Sequence, residues 1–290
     1  MTPEVADAAT RIIAEAYDED LSDVGDLTSL ATIPDAHRSV AQIVVRAQGC
    51  VAGIPIVEMC FNHVDPTIAI QRFAEDGDVV DGGTVVMEAT GSTRSLLTAE
   101  RVALNLFGQL SGVATATHSF VEAVSGTAAL IVDTRKTTPG LRRLEKYAVA
   151  AGGGANHRMG LYDAVMIKDN HLAASDSIAD AVSKARDLVG RNMIVEVEVD
   201  TLDQLTEALE TDADVVLLDN MTPEELQRAV TMVGGRMRTE ASGGVTLDTV
   251  RAIAETGVDV ISVGWLTHSA PALDVAMDIA SAQPNQCPSP

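Results

Sequence analysis

Aromatic residues are scarce in this 290-residue chain, which has one Trp, three Tyr and four Phe. Basic residues are also a minority: 20 Lys and Arg stand against 42 Asp and Glu, for a formal net charge of −22. A polyanion such as nucleic acid is therefore disfavoured as a partner. Cysteine is nearly absent. Cys50, Cys60 and Cys287 are odd in number and share no metal-binding spacing, so they read as reduced thiols, not as disulfides or a zinc site. No apolar run is long enough to cross a bilayer, and the first residues lack the basic-then-apolar pattern of an export signal. A cytoplasmic protein without membrane contact is expected. Pro- or Ser-rich linkers and short repeats are missing as well, so two domains, if present, should pack tightly; SAQPNQCPSP at the C-terminus reads as a flexible tail.

Against this acidic background, positive charge is concentrated in one place. The forty residues from Asp133 to Leu172 hold Arg135, Lys136, Arg142, Arg143, Lys146, Arg158 and Lys168, seven of the chain's 20 basic residues, together with His157 and His171. Such a concentration points to an anionic ligand, because guanidinium and ammonium donors must offset the desolvation of phosphate or carboxylate groups. Arg142, Arg143 and Lys146 fit the plainer reading of a solvated helix face. Arg135, Lys136 and Lys168 do not, because they directly follow apolar runs.

Those runs set the architecture. From about residue 128 onward, AALIVDTR, AVMIKDN, MIVEVEVD, ADVVLLDN, TEASGG and VDVISVGW read as strands, and helical patterns lie between them. Thr201 opens one helix, Thr222-Pro223-Glu224-Glu225 combines an N-cap, a first-turn Pro and a capping-box Glu, and Thr246 opens another that closes on Gly257. Alternation of strand and helix with nearly continuous apolar strands predicts an α/β fold with a parallel sheet, and the number of units favours a barrel over an open sheet. In such a barrel chemistry gathers where strands end. The predicted ends carry Asp133 to Lys136, Lys168 to Asn170, Glu196 to Asp200, Asp219-Asn220, Ser242 to Gly244 and Gly264.

Residues 1–112 have a different texture and predict a separate α+β unit. Its first 21 residues read as an amphipathic helix, whereas SVAQIVVRAQGCVAGIPIVEM and DGDVVDGGTVVMEATG read as short strands with tight turns. STRSLLTAERVALNLFGQLSGVATATHSFVEAVSG reads as two helices leading into a barrel domain at 113–275, with the end of a C-terminal helix and the tail at 276–290.

The order and spacing of DTRKTTPGLR, GGGANHRMGLYDAVMIKDNH, EVEVD, LLDN, EASGG and VGWLTHS resemble the quinolinate phosphoribosyltransferase family. EDLSDVGDLTSLATIP and LLTAERVALNLFGQLSGVAT extend the likeness over nearly the whole chain. The resemblance implies an N-terminal α+β sandwich-like domain that covers the open end of an incomplete parallel α/β barrel on a partner subunit. It implies a homodimer that converts quinolinate and phosphoribosyl pyrophosphate to nicotinate mononucleotide, pyrophosphate and carbon dioxide in NAD biosynthesis, with magnesium and no organic cofactor.

By the same resemblance, Arg135 and Arg158 bind the two carboxylates of quinolinate with help from His157 and Lys136, Thr134 is a further substrate-binding residue, and Arg101 reaches in from the second subunit. Planar guanidinium forks suit a flat dicarboxylate. Lys136 and Lys168 would lie near the pyrophosphate or the reacting centre. Glu198 and Asp219 would serve the ribose and the metal, directly or through substrate or water, and would stabilise positive charge at the anomeric carbon. Ser242, Gly243, Gly244 and Gly264 would bind the 5′-phosphate, with His268 close by. Lys136, Lys168, Glu198 and Asp219 are the catalytic candidates. Trp265 departs from the small residue expected after Gly264, and core packing is expected for it. Three rivals stand beside this reading: a relative using another acid, a Schiff-base aldolase with Lys168 as nucleophile, and a non-catalytic sensor of phosphorylated metabolites.

Overall fold

The computed structural model describes residues 1–281, and within them the chain forms two compact units. The first comprises Met1–Thr115, Pro139–Gly152 and the segment from Ala270 onward. It opens with α1 (Pro3–Leu21) and α2 (Leu27–Thr32), whose N-cap Asp26 accepts from the Ser29 N–H. The strands β1 (Arg38–Val45), β2 (Gly49–Cys50), β3 (Ala69–Arg72), β4 (Val79–Val80) and β5 (Val85–Ser92) follow, with α3 (Ile54–Val64) between β2 and β3. Next come α4 (Thr93–Ala123), which continues into the second unit, and α5 (Arg142–Ala151), before β12 (Val275–Ser281) returns to the first. The main sheet is antiparallel in the order β12-β1-β5-β3, and β2 pairs with β4. The Tyr17 hydroxyl donates to the carbonyls of Cys60 and Ala99, tying α1 to α3 and α4 in the core. Cys50 and Cys60 are buried free thiols, and burial raises them to about 11 and about 12, which leaves them unreactive at neutral pH.

Three elements differ from the sequence reading. GIPIVEM begins α3 and is not a strand: Pro55 fits the first helical turn, and Asp76 Oδ1 accepts from the Gly53 and Ile54 N–H groups at 2.9 Å. The two helices expected after residue 92 are one helix, α4. Its glycines are contact points, not breaks. A Cβ on Gly112 would sit 2.2 Å from the Pro271 carbonyl oxygen, and one on Gly108 would sit 3.0 Å from that of Leu273. The expected C-terminal helix end is strand β12, paired with β1 from Val45↔Val275 to Ser39↔Ser281. Its alternation of small and apolar residues has the period of a half-covered strand. Residues 282–290, which carry most of the expected tail, lie outside the described residues.

The second unit, Ala116–Thr138 and Gly153–Ser269, holds the parallel sheet. Its strands are β6 (Leu130–Val132), β7 (Val165–Ile167), β8 (Val195–Val199), β9 (Val215–Asp219), β10 (Arg238–Ser242) and β11 (Val260–Ser262). Helices α6 (Asp169–Leu172), α7 (Ile178–Val189), α8 (Leu202–Ala208), α9 (Pro223–Val233), α10 (Leu247–Ala254) and α11 (Trp265–His268) lie between or after them. The sheet order is β6-β11-β10-β9-β8-β7, with every pairing parallel. Chain order therefore runs round the sheet from β7 to β11 and returns to β6. No β6–β7 pairing closes the ring among the described residues; Ala155 alone bridges to Val132 on that side of β6. This is an α/β barrel left open at one seam. The caps read from sequence hold: Thr201 and Thr222 accept from the third residue of their helices, and Glu225 reaches back to the Thr222 N–H.

Candidate active site

The strand ends define the site. At the C-terminal ends of the six parallel strands lies a cavity of about 540 Å³, a volume ordinary for a small-molecule site. Thr134, Arg135 and Lys136 reach it from beyond β6, Lys168 from β7, Glu198 from β8, Asp219 from β9, and Ser242, Gly243 and Gly244 from β10. His157 and Arg158 enter from the segment beside β6. Alternation along β8 puts Val195, Val197 and Val199 on one face and Glu196 and Glu198 on the other. Both glutamates are buried, 2% and 8% exposed, so an inward acidic face replaces the solvated one that the strand alone would suggest.

One wall is cationic. Burial, and then the charge of Arg135, lowers the proton affinity of Arg158, with Glu196 and Asp163 opposing, a sign of two guanidinium groups held close. Arg158 is anchored at one corner, where Nη1 donates to the Ala164 carbonyl at 3.2 Å. Before it, buried Asp133 fixes the backbone turn by accepting from the His157 N–H at 2.9 Å and from Asn156 Nδ2 at 2.7 Å. His157 Nε2 lies 3.1 Å from Glu240 Oε2 and 3.4 Å from Glu196 Oε2, and its Nδ1 accepts from the Arg158 N–H at 2.8 Å.

The protonation of this histidine has opposing influences. Burial disfavours a charged ring, whereas Glu196 and Glu240 favour one strongly enough to lift its pKa to about 10. The Arg158 N–H counts the other way, because Nδ1 must keep a lone pair to accept it. The 2.8 Å contact fits a ring whose Nδ1 carries no proton and whose Nε2 donates to the carboxylates; a charged ring would require the Arg158 amide to turn away. The carboxyl of Glu196 is raised by burial, with the His157 hydrogen bond opposing. These three side chains offer ligand atoms within 4.8 Å of one another, near enough to hold a metal ion; a proton on Nε2 satisfies the same atoms.

The other wall is mixed. Lys168 Nζ pairs with Glu198 Oε2, and the backbone N–H of Lys168 donates to His171 Nδ1 at 2.9 Å. Asp219 is raised above the usual carboxylate range by burial and then by the charge of Glu198, with Lys168 opposing. Asn220 donates to Asp219 Oδ2 at 2.6 Å and adopts a positive φ of 53°. Gly243 is required here: its φ is +91°, and a Cβ would fall 2.2 Å from Asn220 Oδ1.

Eleven of the fourteen expected site residues line this cavity: Thr134, Arg135, Lys136, His157, Arg158, Lys168, Glu198, Asp219, Ser242, Gly243 and Gly244. Gly264 and His268 are near neighbours. The Lys136 stem crosses Gly264 so closely that a Cβ there would be 2.8 Å from Lys136 Cδ, and 3.4 Å from His268 Cδ2. Arg101 is not among the lining residues. It is exposed on α4 in the first unit, with Glu100 3.6 Å away. Trp265 corrects an expectation: it is 38% exposed and lies against Phe120 at 6.2 Å, beside Val245 and Leu247. It is not core, and it does not line the cavity. Lys146, expected on a solvated face, is buried on α5. Among residues that sequence reasoning left without a role are Glu240, Asn220, Met166, Leu217 and Ser262. The inward phase of TEAS could have indicated Glu240, since Ser242 two residues on was already placed at the site.

Two family models match nearly end to end. Residues 26–111 match the quinolinate phosphoribosyl transferase N-terminal domain, and residues 113–278 match its C-terminal domain. The chain belongs to the quinolinate phosphoribosyltransferase family. A probable nicotinate-nucleotide pyrophosphorylase [carboxylating] of Bacillus subtilis is 44% identical over 269 residues, covering 93% of this chain and 92% of that protein. The chloroplastic nicotinate-nucleotide pyrophosphorylase [carboxylating] of Arabidopsis thaliana is 42% identical, covering 92% and 82%. Among solved structures, the nicotinate-nucleotide pyrophosphorylase of Francisella tularensis superposes with a TM-score of 0.90 at 39% identity over 97% of this chain and 98% of that one. That of Ehrlichia chaffeensis gives 0.90 at 40% over 93% and 98%. For a quinolinate phosphoribosyltransferase family member, the open barrel and N-terminal sheet unit are thus the family architecture. No helix of the described residues is long and apolar enough to span a membrane.

Proposed function

We propose that this chain transfers the phosphoribosyl group of phosphoribosyl pyrophosphate to quinolinate and releases pyrophosphate and carbon dioxide, giving nicotinate mononucleotide for NAD biosynthesis. The observation that carries this reading is the make-up of the cavity: Arg135 and Arg158, the Lys168–Glu198 pair and Asp219 all line it. Arg135 and Arg158, with Thr134, hold the quinolinate carboxylates and fix the ring. Lys136 and Lys168 offset pyrophosphate charge. Ser242, Gly243, Gly244 and Gly264 receive the 5′-phosphate, with His268 beside it. As pyrophosphate departs, positive charge grows at the anomeric carbon, and Glu198 and Asp219 stabilise it. The Schiff-base alternative is weakened, because Lys168 Nζ is engaged by Glu198 whereas an amine nucleophile needs an unengaged lone pair.

Magnesium fits the same wall. Glu198 and Asp219 are hard oxygen donors, and Asp219 is poorly compensated where it stands. These two carboxylates would hold the ion directly or through water, and the ion would supply charge neutralisation to the pyrophosphate. The working form is a cytoplasmic homodimer in which Arg101 of one subunit completes the site of the other. A coupled assay with purified protein, both substrates and magnesium tests the reading: nicotinate mononucleotide and pyrophosphate should form together. Protein that binds both compounds and turns over neither would support the sensor reading instead.

A further inference from the structure

We infer that Glu196 and Glu240 are positioning residues, which act through His157 to fix the backbone of Arg158 at the cationic wall. The inference rests on the proposed role of Arg158 as a carboxylate ligand. The geometry is a relay of three links. Two buried carboxylates on β8 and β10, the strands that flank β9, converge on one imidazole nitrogen at 3.4 and 3.1 Å. The opposite nitrogen of the ring accepts the Arg158 N–H at 2.8 Å. Asp133, at the end of β6, holds the same turn from the other side through the His157 N–H.

The chemistry of the ring makes the relay directional. A neutral imidazole has one donor and one acceptor nitrogen, and a carboxylate accepts only, so Glu196 and Glu240 force the proton onto Nε2. Nδ1 is then bare and available to the amide. Arg158 follows directly, so its guanidinium is aimed by a backbone that the barrel strands themselves register. Without the glutamates only the Arg158 N–H would hold the ring, and Nε2 would lose the two acceptors that fix its rotation. Glu196 Oε1 is buried with no hydrogen-bond partner among the described residues, and Glu240 is 3% exposed. Buried carboxylates need donors, and His157 Nε2 is the donor that these two share.

Three comparisons test the relay. In Glu240→Gln and Glu196→Gln the quinolinate KM should rise roughly tenfold, as for loss of one hydrogen-bond link. The phosphoribosyl pyrophosphate KM, and kcat at saturating quinolinate, should stay within about twofold. An amide side chain oxygen at 157 can replace the acceptor Nδ1, so His157→Asn should keep more quinolinate affinity than His157→Phe. Nitrogen NMR on histidine-labelled wild-type enzyme, with His157 assigned from the Asn variant, should show an unprotonated Nδ1 and a protonated Nε2. The relay is overturned if both nitrogens carry protons in the free enzyme, or if the folded glutamine variants keep the wild-type quinolinate KM. It is likewise overturned if Asn and Phe at 157 are equally damaging, which would mark His157 as a direct ligand. Failure of the underlying reading looks different: Arg158→Ala would then spare quinolinate binding while the NMR pattern stayed as described.

Discussion

Arg158 is where substrate choice is expected to reside. Its guanidinium is half-buried beside Arg135, with one corner bonded to the Ala164 carbonyl, and burial and Arg135 lower its proton affinity while Glu196 and Asp163 oppose. Arg158→Ala should weaken quinolinate binding by about 2–3 kcal/mol and phosphoribosyl pyrophosphate binding far less, since a charge-assisted pair is lost from one ligand only. Calorimetry with each ligand in turn decides; equal weakening would place Arg158 at the phosphates. Asp219 invites the converse test. Its pKa is raised in the folded state, so the fold gains from its protonated form at low pH and loses that contribution as pH rises through the folded value. At neutral pH the ionised carboxylate is therefore a burden on stability. Asp219→Asn should keep or raise the melting temperature while lowering kcat, and quinolinate affinity should hardly change. A variant that melts earlier and loses quinolinate affinity would mark Asp219 as a structural ion-pair partner.

At the scale of elements, each parallel strand delivers its chemistry from its C-terminal end, and the connecting helix is fixed by a cap. Thr222→Ala on α9 should cost about 1 kcal/mol, because the Glu225 N–H loses its acceptor and Glu225 loses its hydroxyl partner. Denaturant melts would register this without a change in KM. Gly112 on α4 reverses the usual helix rule. Ala is the better helix former, yet Gly112→Ala should destabilise by about 1–3 kcal/mol, because the added Cβ meets the Pro271 carbonyl. The same contrast explains what could be read in advance. Strands ending in Lys168, Asp219 and Ser242 were legible because apolar runs stop at polar residues and helix caps follow at once. The single helix α4 was not, since its glycines look like breaks until the segment they pack against is known. Strand β12 was hidden for the same reason: its pairing with β1 spans more than two hundred residues. Glu240 went unassigned because a lone acid between Thr and Ala says nothing of what lies across the barrel, and Trp265 misled because large rings usually find a core.

For the whole molecule, Arg101 carries the decisive question of assembly. It is exposed on α4 and does not line the cavity, and in the proposed homodimer it comes from the second subunit. Mixing Arg101→Ala subunits with Lys136→Ala subunits should restore part of the activity that each homodimer lacks, because one hybrid site then receives both intact groups. Verified heterodimers without activity would contradict a shared site. The strongly acidic chain, with its net charge of −22, would repel anionic substrates at long range, so the local basic cluster must do the capturing. The central claim is that this cluster selects a dicarboxylate and that the second carboxylate is lost as carbon dioxide. The most direct test offers quinolinate or nicotinate to the same enzyme with phosphoribosyl pyrophosphate, measuring nucleotide and carbon dioxide together. Quinolinate should yield the two in equal amounts, and nicotinate should react with a kcat/KM lower by on the order of 100-fold, the effect of one lost charge-assisted pair. Equal use of nicotinate, or nucleotide formed from quinolinate without carbon dioxide, would contradict the account.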